Sequence, residues 1–182
     1  MQPEAWKTSL DDAVEQQDWP ALRRAAGAQP AKTLRYLVGR LYTAEDGSRQ
    51  NVIEALGEVT SEPGVYSVEK IRELLRRFFW WLNDESGAVP FGIPEAIGVV
   101  LAARPELQQE FLPLICAMAH HPDLLQAGPI ERGVFWALGR IGRPVALCSP
   151  EAVTAVACAA QQHPDAQTRT TAVWALSRME KA

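Results

Sequence analysis

The chain has 182 residues, of which 47% are hydrophobic and 22% charged, and its formal net charge is -4. This length and composition are typical of one globular domain, and the negative charge argues against binding DNA or an anionic membrane through an overall basic surface. No run approaches the roughly 18 consecutive apolar residues that a membrane-spanning helix needs. The polar, acidic first residues contain no apolar signal-peptide core, so we expect a cytoplasmic protein.

Hydrophobic residues recur at the 3.6-residue period of a helix along the whole chain, and no segment alternates in the manner of a strand. One predicted buried face contains Leu34, Leu37, Val38 and Leu41, and two others contain Val52, Ile53, Leu56 and Val59, and Ile71, Leu74, Leu75, Phe78 and Leu82. Prolines and glycines separate these runs. The sequence therefore predicts an all-α fold with helices at about 9–17, 19–27, 30–42, 47–58, 67–82, 93–103, 105–121, 130–142, 150–162 and 166–180.

A short motif repeats along the predicted helices. An Ala-Leu/Ile-Gly/Ser triplet occurs at 55–57, 96–98, 137–139 and 175–177, in steps of 41, 41 and 38 residues. A second motif, His-Pro-Asp, occurs at 121–123 and 163–165, in each case with a cysteine five residues before the histidine. A period near 40 made of two helices predicts an α-solenoid, in which the small residue lets neighbouring helices approach closely. We expect repeats at about 30–59, 67–103, 105–142 and 150–180 within a single domain, 1–182, that an N-terminal helix pair caps at 9–27.

Segments 48–59, 129–142 and 165–179 resemble the second helices of HEAT-like repeats, of the bacterial kind found in phycobilisome lyases. The resemblance implies a right-handed α-α superhelix. It also implies that Asp46 and Asp165 cap helices and meet Arg49 and Arg169 one turn on, and that Pro113 kinks a first helix. The second repeat departs from the pattern at 92–95. The family consists mostly of scaffolds with a few enzymes among them, so the resemblance specifies architecture better than function.

The candidate catalytic and metal-binding residues are few. His121 and His163 hold equivalent positions and would need Asp123 or Asp165 to complete a metal site, whereas a histidine in the last turn of a helix also interacts with the helix dipole. HEAT proteins that bind iron for hydroxylation resemble one another in repeated His-Glu pairs, which this chain lacks. Cysteines number three, without paired spacing, as is typical of a reduced protein. We interpret Cys116 and Cys158 as small core residues and Cys148 as an exposed loop residue, and we expect no metal, no cofactor and no catalytic residue.

The residues around the triplets predict a binding surface. The position before each triplet holds Glu54, Glu95, Trp136 and Trp174, and the position one turn later holds Glu58, Val99, Arg140 and Arg178. Second helices line the concave side of HEAT-like solenoids, so these eight residues, called the stripe below, would follow the groove. We predict a non-enzymatic scaffold that binds a segment of another protein there, with the tryptophans as anchors. The alternative is that the tryptophans fill the space between repeats.

Two other functions stay open. A ligand- or chromophore-handling protein similar to the lyases would need a deep pocket. A DNA-binding protein similar to the HEAT-like repair glycosylases would use the late arginines, but the negative net charge and the glutamates of the stripe argue against nucleic acid. The four arginines concerned are Arg140, Arg143, Arg169 and Arg178.

The stretch FFWWLNDESG, residues 78–87, is a separate candidate. Helical geometry directs Phe78 inward, places Phe79 and Trp81 at the flanks, and directs Trp80 away from the core. The residues that follow suit an exit turn, with the apolar segment 87–94 covering Trp80. The alternative is a recognition patch, which we call the loop patch, formed by Trp80, Asp84, Glu85 and Phe91.

Overall fold

The computed structural model describes residues 3–43, 46–82, 91–121 and 128–180, with the side chains of residues 3, 4, 46, 128 and 129 left aside. These residues form eleven α-helices and one 3-10 turn, and none of them lies in a strand. The prediction of an all-α fold is therefore confirmed. The helices are α1 Pro3–Glu15, α2 Trp19–Ala28, α3 Pro30–Thr43, α4 Asp46–Ser61, α5 Val68–Leu82, α6 Ile93–Ala103, α7 Gln108–His120, α8 Gly128–Ile141, α9 Arg143–Cys148, α10 Pro150–Gln162 and α11 Ala166–Met179, and the 3-10 turn is Pro105–Leu107.

Two helices differ from the prediction. The first begins at Pro3, not near residue 9, because Trp6 joins Leu10 in the core and packs edge-on against Tyr36 with ring centroids 5.6 Å apart. The short helix α9 was predicted as a loop. Gly142, at φ 77°, ends α8, and Pro144 then occupies the first turn of α9, where its missing N–H costs no hydrogen bond.

The helices contact one another in a regular order. Helices α4, α6, α8 and α11 touch in series, and each of them also packs against the helix before it in a pair: α3, α5, α7 and α10. Neighbouring pairs meet through side chains as well, since Tyr42 of α3 packs edge-on against Trp81 of α5, and Phe79 of α5 stacks on Phe111 of α7. All residues of the three predicted buried faces lie in the core.

The glycines of the first three triplets lie at helix contacts, as predicted, whereas Ser177 of the fourth triplet is exposed. A Cβ atom added to Gly98 would be 2.6 Å from the Cα of Ala137, and one added to Gly139 would be 2.7 Å from the Cα of Ala175. Both distances are shorter than van der Waals contact, so only glycine fits. The glycine of one triplet thus packs against the alanine of the next, which sets the close approach of α6 to α8 and of α8 to α11.

The helix-end features implied by the resemblance hold in part. Asp165 is the N-cap of α11, where its Oδ2 accepts hydrogen bonds from the backbone N–H and the hydroxyl of Thr168. Arg169 does not meet that carboxylate, because it donates to the backbone oxygens of His163 and Pro164 at 2.6 and 2.9 Å. Pro113 lies inside α7. None of the helices described is long and apolar enough to cross a membrane.

Candidate partner-binding face

The two tryptophans of the stripe contact each other. Trp136 of α8 and Trp174 of α11 stack with ring centroids 5.9 Å apart and an angle of 18° between the planes. Trp136 is half-buried against the core, whereas Trp174 is 36% exposed. The pair therefore combines both interpretations of the sequence: Trp136 fills space between two helices, and Trp174 presents an aromatic surface to solvent.

The surface beside Trp174 is apolar and basic. Val173 is 57% exposed, and Arg178, one turn after Trp174 on α11, is also exposed. Among the described residues, no hydrogen bond or ion pair is formed by the Arg178 side chain. Tryptophan and arginine are among the residues most enriched at the energetic centres of protein interfaces.

The acidic end of the stripe is engaged within the chain. Glu54 of α4 forms an ion pair with Arg140 of α8 at 2.8 Å, which spans the intervening helix α6. Glu58 forms an ion pair with Arg23 of α2 at 2.7 Å. Both pairs are partly exposed, so each contributes at most about 1 kcal/mol to folding. The two ion pairs neutralise the charges of Glu54 and Glu58, which appear unpaired in the sequence alone.

Glu95 lines a cleft of about 390 Å³. We call it the arginine cleft, and its lining residues are Arg49, Gln50, Ile53, Phe91, Gly92, Glu95 and Arg132. The carboxylate of Glu95 packs against Gly133, where an added Cβ would be 2.7 Å from Oε2. Burial raises the pKa of Glu95, while its own backbone N–H, Arg132 and Arg49 act in the opposite direction.

Two residues of the loop patch, Trp80 and Phe91, lie in the part of the chain that the structure describes. Trp80 is 66% exposed on α5, Phe78 is buried and Trp81 is half-buried, as predicted. Phe79, expected at a flank, is buried as well. Phe91 lies over the guanidinium of Arg49, 5.5 Å from the ring centroid, and lines the arginine cleft. Residues Asp84 and Glu85 lie outside the described residues.

The histidines lie at the C-terminal ends of α7 and α10. The Nε2 of His163 lies 3.1 Å from a carboxylate oxygen of Glu131, and the backbone N–H of Asp165 donates to the Nδ1 of His163. The rings of His120 and His121 are 4.5 Å apart. Asp123 lies outside the described residues, and those described hold no group of three or more side chains suited to a metal ion.

The cysteines differ in environment. Cys116 is buried, and burial together with its contact to the Cys148 thiol raises its pKa to about 12. Cys148 is exposed as predicted, although it ends α9 and does not lie in a loop. The prediction for Cys158 is wrong, because this residue is exposed. It stands two residues after the buried Val156, which on a helix turns it about 200° from the core.

The arginine cleft is the feature that the sequence did not reveal. Arg49 stands six residues before its triplet and Arg132 five residues before its own, so the register of the repeats does not align the two arginines. Comparison with known proteins adds no assignment, since no family model and no curated protein matches this sequence. The function is therefore inferred from the surface around Trp136, Trp174 and Arg178, which we call the face.

Proposed function

We propose that the chain is a HEAT-like repeat protein whose four helix pairs coil into a right-handed superhelix, with α1 and α2 as the N-terminal cap. The proposal is supported by the serial contacts of α4, α6, α8 and α11 and by the repeated packing of a triplet glycine on the next triplet. In such an array each pair contacts only its neighbours, and the second helices together form one elongated surface. The whole of 1–182 would then act as a single domain.

We further propose that this surface binds a segment of another protein, and that the chain acts as a non-enzymatic scaffold in the cytoplasm. The observation that carries the proposal is the Trp136–Trp174 stack with its exposed edge beside Arg178. A ring already held by its neighbour loses little conformational freedom when a partner covers it. The complementary segment carries an apolar side chain to cover Trp174 and an acidic side chain to pair with Arg178.

The ion pairs at the acidic end of the stripe limit how much that end can contribute to binding affinity. Glu54 is committed to Arg140, and Glu58 to Arg23. A partner that paired with these glutamates would first have to break existing ion pairs, which cancels much of the gain. The aromatic end therefore dominates affinity, and the glutamates influence the association rate and the register.

The same contacts weigh against a nucleic-acid ligand. Arg140 is neutralised by Glu54, and Arg169 is bound to two backbone oxygens, so two of the four late arginines have intrachain partners. A DNA-binding groove depends on cations that are available to phosphates. DNA retardation that disappears between low and moderate salt, and that Arg178→Gln abolishes, would contradict the proposal.

The test is an affinity purification from native cells followed by a binding measurement on the segment that is captured. Trp174→Ala should weaken the affinity for that segment about 30-fold, which is the 2 kcal/mol typical of a hot-spot residue. Trp80→Ala is the matched control, because Trp80 is a more exposed tryptophan on a helix that does not contribute to the face. Equal affinity of the Trp174→Ala variant and the wild type would refute the proposed site.

A further inference from the structure

The arginine cleft lies where three neighbouring helices begin. Arg49 is in the first turn of α4, Glu95 is the third residue of α6, and Arg132 is the fifth residue of α8. The N-terminal end of a helix carries a partial positive charge, so three such ends add to the charge of the two guanidinium groups. The floor of the cleft thus attracts a negatively charged group.

Glu95 adds a different feature to the cleft, a carboxylate oxygen that lacks a hydrogen-bond donor in the part of the chain that the structure describes. Its Oε2 is fully buried and has no hydrogen-bond partner among the described residues. A buried carboxylate oxygen without a donor is costly, and most such atoms in proteins are satisfied by a protein group, water or ligand. Glu95 also lines the cleft, so a donor placed there can reach its carboxylate.

The close packing around Glu95 shows that this position is built into the fold. The side chain rests on the Cα of Gly133, so any larger residue there would displace the carboxylate. Gly92 precedes α6 with φ 91°, a left-handed conformation that favours glycine, and a Cβ atom there would be 3.0 Å from the Cδ of Arg49. The absence of a Cβ atom at Gly133 and Gly92 thus leaves room for the side chains of Glu95 and Arg49.

We propose that the arginine cleft binds a ligand with a carboxylate next to an N–H donor, as in a free α-amino acid or the C-terminal residue of a peptide. The carboxylate of the ligand is bound by Arg49 and Arg132, and its N–H group donates to Glu95. Charge-assisted hydrogen bonds of this kind are about twice as strong as neutral ones. The side chain of the ligand lies against Ile53 and Phe91, the latter 57% exposed.

The size of the cleft agrees with this class of ligand. A volume of about 390 Å³ is at the lower end of the range of about 300–1,000 Å³ for small-molecule sites. Arg132 is held by the side-chain oxygen of Gln167 at 2.6 Å, and Arg49 by the ring of Phe91. Both guanidinium groups are therefore oriented before a ligand arrives, which lowers the entropic cost of binding.

The ligand chemistry is tested with four probes at matched ionic strength, by thermal melting and titration calorimetry. L-leucine should raise the melting temperature. L-leucinamide, which lacks the carboxylate, should not raise it, and sulfate, which lacks the donor, should raise it less than L-leucine does. N-acetyl-L-leucine distinguishes the two sources: binding at least as tight as that of L-leucine identifies a peptide C-terminus, and weaker binding identifies a free amino acid. A shift with sulfate as large as with L-leucine, or no shift with any probe, overturns the proposal.

The residues of the cleft are tested with two variants. Glu95→Gln keeps the size of the side chain, and Arg132→Gln keeps part of its polarity. Each variant should bind the ligand about tenfold or more weakly, as expected for the loss of one charge-assisted hydrogen bond. Arg24→Gln, on the exposed side of α2, is the control and should bind as the wild type does. A purely structural role predicts altered melting of both variants with unchanged ligand affinity, and that result refutes the site. Trp174→Ala should leave ligand binding unchanged, which separates this inference from the proposed partner site.

Discussion

Replacing Gly98 with alanine tests the helix contacts on which the face depends. The added Cβ would be 2.6 Å from the Cα of Ala137 and 2.7 Å from its Cβ, so the neighbour it meets is backbone and cannot rotate away. Overpacking of this kind typically costs about 1–3 kcal/mol. Because the clash is with backbone, we expect the cost of Gly98→Ala to lie in the upper part of that range. The higher helix propensity of alanine then offsets about 1 kcal/mol of this cost.

Gly39→Ala is the matched control, because Gly39 lies inside α3 and an added Cβ would meet no atom within 4 Å. It gains the same helix propensity without a clash, so it should stabilise the protein by about 0.4–1 kcal/mol. The two variants should therefore differ by about 2 kcal/mol or more in the free energy of unfolding.

Urea denaturation measures this difference, with an unchanged slope showing that the unfolded states are comparable. A difference of 2 kcal/mol corresponds to about 4–8 °C in melting temperature for a chain of this size. Gly57→Ala should fall between the two, since its Cβ would meet the side chain of Val99 at 3.0 Å. Equal stability of the Gly98→Ala and Gly39→Ala variants would contradict the close approach of α6 to α8.

Three further predictions concern single residues. A thiol reagent should modify the exposed Cys148 and Cys158 quickly in the native protein and reach Cys116 only on unfolding, because burial keeps that thiol protonated; fast modification of all three would refute its burial. Ser149→Ala should cost about 1 kcal/mol in urea denaturation, since the Ser149 hydroxyl accepts the N–H of Ala152 at the start of α10, and an unchanged midpoint would show that the cap contributes nothing. Burial raises the pKa of Glu95 above its ordinary value of 4.5, so its ionisation destabilises the fold as the pH rises through the folded pKa. Glu95→Gln should therefore gain stability relative to the wild type at neutral pH compared with acidic pH, and a constant difference across that range would contradict the raised pKa.

The sequence predicts the helices and their buried faces because both depend on local pattern. The 3.6-residue period of the apolar residues fixes which side of α5 is buried, so the inward Phe78 and the outward Trp80 follow from spacing alone. The spacing of the triplets likewise places Gly98 and Gly139 at helix contacts. The exception is α9, where six residues are too few for a period to be recognised.

The site depends on contacts between distant residues, which spacing does not give. Glu54 and Arg140 stand 86 positions apart in the sequence, and only the stacking of three helices brings them together as an ion pair. The stack of Trp136 on Trp174 fixes how much of each ring remains exposed, a property of packing and not of pattern. The arginine cleft combines side chains from three helices, each unremarkable in its own segment, and Cys158 shows that an apolar context in sequence does not guarantee burial.

The central claim is that the face around Trp136 and Trp174 binds a partner segment, and hydrogen exchange of the complex tests it most directly. Backbone amides of 128–141 and 166–179 should exchange more slowly when the captured segment is bound, because the partner covers those two helices. Amides of 68–82, which carry Trp80, should exchange as they do in the free protein. Protection confined to 68–82, with 166–179 unchanged, would contradict the account.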